Sequence, residues 1–130
     1  MRSKFIYTGI HVSNLERAIA FYREALGMKL LFKTRIEETG GRVAWLTTKG
    51  TKQILELNWY PKQYKHGGRS GLDHLAFEVD DAADAYERLS GRGKGAIAPF
   101  REGEWLLAYV KDPDGNWIEL GSRPQRRRRN

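Results

Sequence analysis

The two halves of the chain repeat one pattern of secondary structure, and this repeat limits the folds that the chain can adopt. In each half, an alternating strand-like stretch is followed by one helical pattern and then by three more strand-like stretches. Setting Val12 on Val79 also aligns ILEL at 54–57 with WIEL at 117–120. We therefore predict an α+β fold of two βαβββ repeats, whose curved mixed sheets enclose a cleft with equivalent positions pointing into it.

Local signals place the elements of each half. Asn14 in the first half and Asp80 or Asp81 in the second are plausible helix N-caps. Gly27 is a suitable helix terminator, and Asp112-Pro113-Asp114-Gly115 is typical of a type I turn. The predicted strands are residues 5–12, 29–36, 42–48, 52–59, 72–79, 96–101, 104–111 and 116–120.

Length and charge predict one domain at residues 1–122, with repeats at about 5–60 and 72–121 joined by a polar, Gly-containing loop at 61–71. Five of the 23 Lys and Arg residues lie in 123–130, which holds no acid, so the remaining chain carries 18 basic against 16 acidic side chains. The net charge of +7 therefore reflects a basic tail. We interpret this tail as a solvated terminus; nucleic-acid binding is the alternative, and no other basic-and-aromatic pattern supports it.

The absence of cysteine excludes disulfides, thiolate catalysis and Cys-based zinc sites, so any metal must have nitrogen and oxygen ligands. No apolar stretch has the length of a membrane span, and the first residues lack the apolar region of a signal peptide. We expect a cytoplasmic protein that does not enter membranes.

Two carboxylates occupy equivalent positions of the repeat inside apolar strands. Glu56 lies between two leucines, and Glu119 lies between Ile118 and Leu120. Either one alone is explained by a solvent-facing strand, as His74 alone is explained by an ordinary strand histidine. Together they give a His/Glu/Glu set from distant parts of the chain, which suits Ni, Co, Zn, Mn or Fe and leaves coordination positions for a substrate.

Segments from nearly the whole chain resemble the vicinal oxygen chelate superfamily and, within it, glyoxalase I (lactoylglutathione lyase). The matching segments are VSNLERAIAFYREALGMKLL (12–31), ILELNWY (54–60), LDHLAFEVDDAADAYERL (72–89) and VKDPDGNWIEL (110–120). This resemblance implies the glyoxalase/bleomycin-resistance/dihydroxybiphenyl dioxygenase fold. It also implies four metal ligands, a first-strand His and a last-strand Glu from each half.

Three of these ligands carry over from the resemblance, as Glu56, His74 and Glu119, whereas the fourth position is Tyr7. A phenol is a weaker ligand than an imidazole at neutral pH, so Tyr7 ligates weakly, binds a metal-bound water or packs. His11 lies roughly 13 Å further along the strand, too far to replace it. The resemblance implies an Arg near His11 that contacts glutathione; His11 would be a weaker substrate-side partner, or an ordinary strand histidine.

The resemblance implies a metal-dependent lyase or isomerase that acts on the hemithioacetal of a 2-oxoaldehyde such as methylglyoxal. Glu119 would be the catalytic base, and Glu56 a ligand and partner in proton transfer. The alternatives are another metal-dependent enzyme of the superfamily, of epimerase or dioxygenase type, and a non-catalytic small-molecule-binding resistance protein. A dioxygenase needs two His and one carboxylate, which Tyr7 disfavours. The retained His/Glu/Glu set counts against the binding protein.

Aromatic side chains and self-association complete the predictions. Trp59, Tyr60, Trp105 and Trp117 line an apolar cleft or pack in the core or a dimer interface, and we predict a substrate contact for Trp59. The resemblance implies a homodimer. Whether the two halves pair within one chain or between two chains stays open.

Overall fold

A computed structural model of the chain describes residues 1–2, 6–37, 39–61, 72, 74–92 and 95–124. It divides into two compact units, Met1–Leu72 and Asp73–Asn130. The loop predicted at 61–71 lies outside the described residues except for Pro61, and so do residues 125–130 of the predicted tail. Among the helices of the described part, none has the length and hydrophobicity to cross a membrane.

The first unit has the order strand, helix and three strands, as predicted. The elements are β1 (Thr8–His11), α1 (Leu15–Glu24), β2 (Lys29–Ile36), β3 (Gly41–Thr47) and β4 (Ile54–Trp59). Strand β1 pairs in parallel with β4, which pairs antiparallel with β3, and β3 pairs antiparallel with β2. The sheet is therefore mixed, with the β1–β4 pair as its parallel part.

The second unit consists of β5 (His74–Glu78), α2 (Ala82–Leu89), β6 (Ala96–Glu102), β7 (Trp105–Lys111) and β8 (Trp117–Ser122). It repeats the topology of the first unit, with the strand order β5-β8-β7-β6 and a parallel β5–β8 pair. The predicted α+β fold with two βαβββ repeats is confirmed.

Each helix begins at the predicted N-cap and lies on one face of its own sheet. The Asn14 side chain accepts a hydrogen bond from the Arg17 amide at 3.0 Å, and Asp81 accepts from the amides of Ala83 and Asp84. Helix α1 contacts β2, β3 and β4, and α2 contacts β6, β7 and β8. The buried strand residues on the helix side include Ala44, Leu46, Leu55, Leu57, Ala108, Val110, Ile118 and Leu120.

Most strand boundaries differ from the sequence prediction by one to three residues, and the start of β1 and the end of β8 illustrate the differences. Strand β1 begins at Thr8, three residues later than predicted. Strand β8 continues through Gly121 to Ser122, because β7 extends opposite it and pairs Leu106 with Ser122. Glycine usually weakens a strand, but here the Trp105 ring lies close over Gly121, so the missing side chain leaves room for a neighbour.

Candidate functional site

Glu56 lies on the face of the first sheet opposite to helix α1. Its strand neighbours Leu55 and Leu57 are buried on the helix side, and alternation turns Glu56 the other way. Trp45 is its direct cross-strand partner and donates its indole N–H to Glu56 Oε2 at 2.6 Å. A charge-assisted hydrogen bond this short holds the carboxylate in one orientation.

Tyr7 and His11 share this face, because they lie two residues on either side of Gly9, which pairs with Glu56. The Tyr7 ring lies 5.0 Å from the Trp45 ring, centroid to centroid. The His11 ring lies 5.7 Å from the ring of Tyr60.

Trp59, the other predicted substrate contact, has a different position. Strand alternation turns it to the face of β4 opposite to Glu56 and Asn58. Within the first unit, the structure therefore brings together Tyr7, His11 and Glu56 on one face but does not bring Trp59 to that face.

In the second unit, Glu119 and His74 lie side by side. His74 lies two residues before Ala76, which pairs with Glu119 across the parallel β5–β8 ladder. The His74 Nε2 atom is 4.0 Å from Glu119 Oε1, and the two side chains are 35% and 23% exposed, so both remain accessible. Tyr109, the cross-strand partner of Glu119, donates its hydroxyl to Glu119 Oε1 at 2.6 Å.

The strand pairing confirms the alignment of the two halves. Gly9 pairs with Glu56 as Ala76 pairs with Glu119, so Tyr7 in one unit is equivalent to His74 in the other. The same pairing makes Trp45 equivalent to Tyr109. Sequence reasoning missed these two donors, although aligning VAWLT (43–47) with LAYVK (107–111) places them together.

A buried carboxylate fixes the turn that leads into β8. Asp112 is fully buried, and its Oδ1 accepts hydrogen bonds from the amides of Asp114 and Asn116 at 2.9 and 2.8 Å. Its Oδ2 accepts from the Asn116 side-chain amide at 2.8 Å. The Gly115 amide donates to the Asp112 carbonyl, which confirms the turn predicted from the sequence. This turn sets where β8 begins, two residues before Glu119.

A cavity of about 390 Å³ opens on the Glu119 face of the second sheet. Its walls include Ala76, Trp105, Leu107 and Gly121, and Glu119 contributes to its lining. It combines this apolar surface with three glutamates, Glu78, Glu102 and Glu119, and such a mixture of apolar walls with a few polar groups is usual in sites for small organic molecules.

The donor types in each unit, imidazole nitrogen and carboxylate oxygen, are those of a metal site of the N/O-binding type. At 4.0 Å apart, His74 Nε2 and Glu119 Oε1 would hold an ion at about 2.0–2.2 Å only with a nearly linear angle, so the two side chains must approach each other for tetrahedral coordination. Glu56 offers a second carboxylate of the same kind. Over the described residues, no three His, Asp or Glu side chains lie close enough together to form a complete cluster.

Comparison with known proteins agrees with this architecture. The family model described as glyoxalase/bleomycin resistance protein/dioxygenase superfamily matches residues 4–120. A lactoylglutathione lyase of Neisseria meningitidis is 36% identical over 124 residues, covering 90% of this chain and 88% of the relative.

Solved structures give the same result. Glyoxalase I from Zea mays has a TM-score of 0.76 and 28% identity over 92% of this chain and 44% of its own. TnmS3, an antibiotic-binding protein from Streptomyces sp. CB03234, has a TM-score of 0.72 and 29% identity over 94% and 97% of the two chains. The chain belongs to the glyoxalase/bleomycin resistance protein/dioxygenase superfamily.

Proposed function

We propose that this protein is a metal-dependent glyoxalase I-type lyase that isomerises the hemithioacetal of a 2-oxoaldehyde, such as methylglyoxal, and a thiol. The observation that carries the proposal is the placement of Glu56 and Glu119 at equivalent positions of the repeat, each held by a cross-strand donor at 2.6 Å. Relatives at 30–36% identity, each matched over about nine-tenths of this chain, are named lactoylglutathione lyase, a carbon–sulfur lyase.

In this proposal Glu56, His74 and Glu119 bind one divalent ion of nickel, zinc, cobalt, manganese or iron, and Tyr7 is a fourth, weaker ligand. When bound, the ion supplies a Lewis acid for the two neighbouring oxygens of the substrate. In the proposed site, Glu56 of the first unit binds the same ion as His74 and Glu119 of the second unit, either within one chain or between two copies of the chain. We propose a cytoplasmic homodimer as the working assembly.

Glu119 is the proposed base, because its carboxylate lines the cavity that offers room for the substrate. It takes the proton from the carbon that bears sulfur, and the C–H bonding electrons form a double bond to the adjacent carbon while the carbonyl oxygen takes the negative charge. The hydroxyl proton on the sulfur-bearing carbon passes to this oxygen, and Glu119 returns its proton to the adjacent carbon, which yields a 2-hydroxy thioester. Trp105 and Leu107 offer apolar surface to the rest of the molecule.

His11 and Trp59 are the proposed substrate contacts outside this cavity. His11 lies on the Glu56 face and can donate a hydrogen bond to an anionic or carbonyl group. A contact with Trp59 requires the substrate to reach the opposite face of β4, so Trp59 is the less well supported of the two proposed contacts.

The proposal is tested by metal content, metal affinity and turnover of the purified chain. Titration with nickel, cobalt, zinc and manganese after chelation should show stoichiometric binding that weakens in His74→Ala, because this variant removes the imidazole ligand. Methylglyoxal hemithioacetals of several thiols are then assayed with the wild type and Glu119→Gln. Glu119→Gln should keep the folded far-UV spectrum and lose metal-dependent turnover.

A small-molecule-binding protein is the second candidate, and the similarity to the antibiotic-binding TnmS3 over nearly the full length of both chains favours it. It predicts no binding of these metals and no turnover, with ligand binding in the cavity beside Glu119. Unchanged turnover in Glu119→Gln would contradict the base assignment directly.

A further inference from the structure

Lys111 lies on the face of the second sheet that carries Glu119. It comes two residues after Tyr109 on β7, and it pairs with Trp117 as Tyr109 pairs with Glu119. His74 pairs with Trp117 from the other side, so Lys111, Trp117 and His74 form one cross-strand row beside the row that contains Glu119. Two residues along a strand separate these rows by roughly 7 Å, a distance that a small substrate can span.

The Lys111 ammonium has a defined position on this face. Its Nζ atom lies 4.5 Å from the centroid of the Trp117 ring, so the indole attracts the positive charge. The Lys111 amide donates to the Gly95 carbonyl at 3.1 Å, and a methyl group added at Gly95 would lie 3.7 Å from Lys111 Cδ. The aliphatic stem is therefore packed close to the Gly95 backbone, and Lys111 is only partly exposed.

This ammonium forms no ion pair with an acidic side chain in the described part of the chain. The carboxylates that form ion pairs there are those of Glu16, Glu78, Asp84 and Glu119, and none of them pairs with Lys111. Lysine side chains usually withdraw from water only where an anion compensates their charge. The position of Lys111 therefore favours an anionic group on a molecule that binds against this face.

The other end of the same face carries negative charge. Glu78 and Glu102 line the cavity beyond Glu119, and Arg123 pairs with Glu78 at 3.7 Å. Glu102 has no such basic partner among the described residues. An anionic group would thus be repelled at the cavity end and attracted at the Lys111 end, with Glu119 between them. These charges favour one orientation of an anionic substrate.

We propose that Lys111 determines specificity: its ammonium binds an anionic group on the thiol part of the substrate, while the apolar part lies in the cavity on the other side of Glu119. The inference rests on the proposed function, because it concerns the substrate of the same site. It adds a residue that contacts the substrate away from the reacting atoms, and it names the thiol as an anionic one.

The test compares two thiols of nearly equal shape, 3-mercaptopropionate and 3-mercaptopropionamide, as hemithioacetals of methylglyoxal. The enzyme is the full chain loaded with the ion that it binds most tightly. The wild type should show a kcat/KM about tenfold higher for the carboxylate, mainly through a lower KM, because the ammonium contacts a group remote from the reaction. Higher salt should reduce this ratio, because mobile ions screen the attraction.

Two variants of Lys111 separate its charge from its packing. Lys111→Met keeps a straight apolar side chain against Trp117 without the charge, so the ratio of the two kcat/KM values should fall to about one. Lys111→Arg is the matched control, because it keeps the cation and should retain most of the ratio. Equal losses of the ratio in both variants would show that packing is what matters, and would overturn the inference.

The wild-type comparison does not depend on whether a variant folds. Turnover of both hemithioacetals by the wild type with nearly equal kcat/KM values would overturn the role of Lys111 and leave the proposed function intact. A wild type that binds no metal and shows no turnover with any thiol instead refutes the proposed function, and this inference with it.

Discussion

The stability of the second unit should depend strongly on the buried carboxylate of Asp112, which accepts three hydrogen bonds in the turn before β8. Two come from the backbone amides of Asp114 and Asn116 and one from the Asn116 side chain, all at 2.8–2.9 Å. Asp112→Ala removes the acceptor for all three and leaves two backbone donors without it. At about 1–2 kcal/mol for each stranded donor, we expect the free energy of unfolding to fall by about 3 kcal/mol.

Asp112→Asn is the matched control for this prediction. The side-chain carbonyl of the substituted asparagine would still accept hydrogen bonds from both backbone amides, whereas its NH₂ group would face the side-chain NH₂ group of Asn116. The expected loss in the free energy of unfolding is therefore about 1 kcal/mol. Urea unfolding followed by tryptophan fluorescence and far-UV circular dichroism gives both values, provided that the two transitions coincide. A loss below about 1 kcal/mol in Asp112→Ala, or equal losses in the two variants, would refute the role assigned to the backbone hydrogen bonds.

Two further variants test the surface charges and the cavity. Hydrogen bonding to the Lys33 ammonium lowers the pKa of Glu16. The ion pair therefore stabilises the fold at pH values above the ordinary carboxyl pKa, and this stabilisation is lost as the pH falls through the lowered pKa. Glu16→Gln should therefore cost about 0.5 kcal/mol at pH 7 and almost nothing in strong acid, and a pH-independent difference in urea unfolding would contradict this. Gly121→Ala places a Cβ 3.2 Å from the Trp105 ring and 3.3 Å from Leu107, so these two cavity-lining side chains must shift by a few tenths of an ångström. We expect a raised KM with a nearly unchanged kcat, whereas an unchanged KM in steady-state kinetics would show that the substrate does not use this wall.

The fold was largely predictable because its signals are local and occur twice. Apolar and polar residues alternate along the strands, and Asn14 and Asp81 mark the starts of the helices. The turn at Asp112–Gly115 has its own sequence signature. Small boundary errors arose where long-range pairing outweighed local preference, as at Gly121, which continues β8 because β7 runs beside it.

The candidate site was only partly predictable from the sequence. The repeat indicated Glu56, His74 and Glu119, because equivalent positions of two copies stand out even without a short motif. Trp59 lies an odd number of residues from Glu56 along β4, so strand alternation turns the two side chains to opposite faces. This separation could have been predicted from the sequence.

By itself, the sequence determined that two copies of one βαβββ unit would form and that a carboxylate would stand at the same place in each. Only the tertiary structure decided what those carboxylates contact. Trp45 is 11 residues from Glu56, and Tyr109 is 10 residues from Glu119. The intervening loops determine which residues face each other across the strands, and one residue of slip would turn each donor to the other face of its sheet. Pairing register is a property of the assembled sheet, and local periodicity does not specify it.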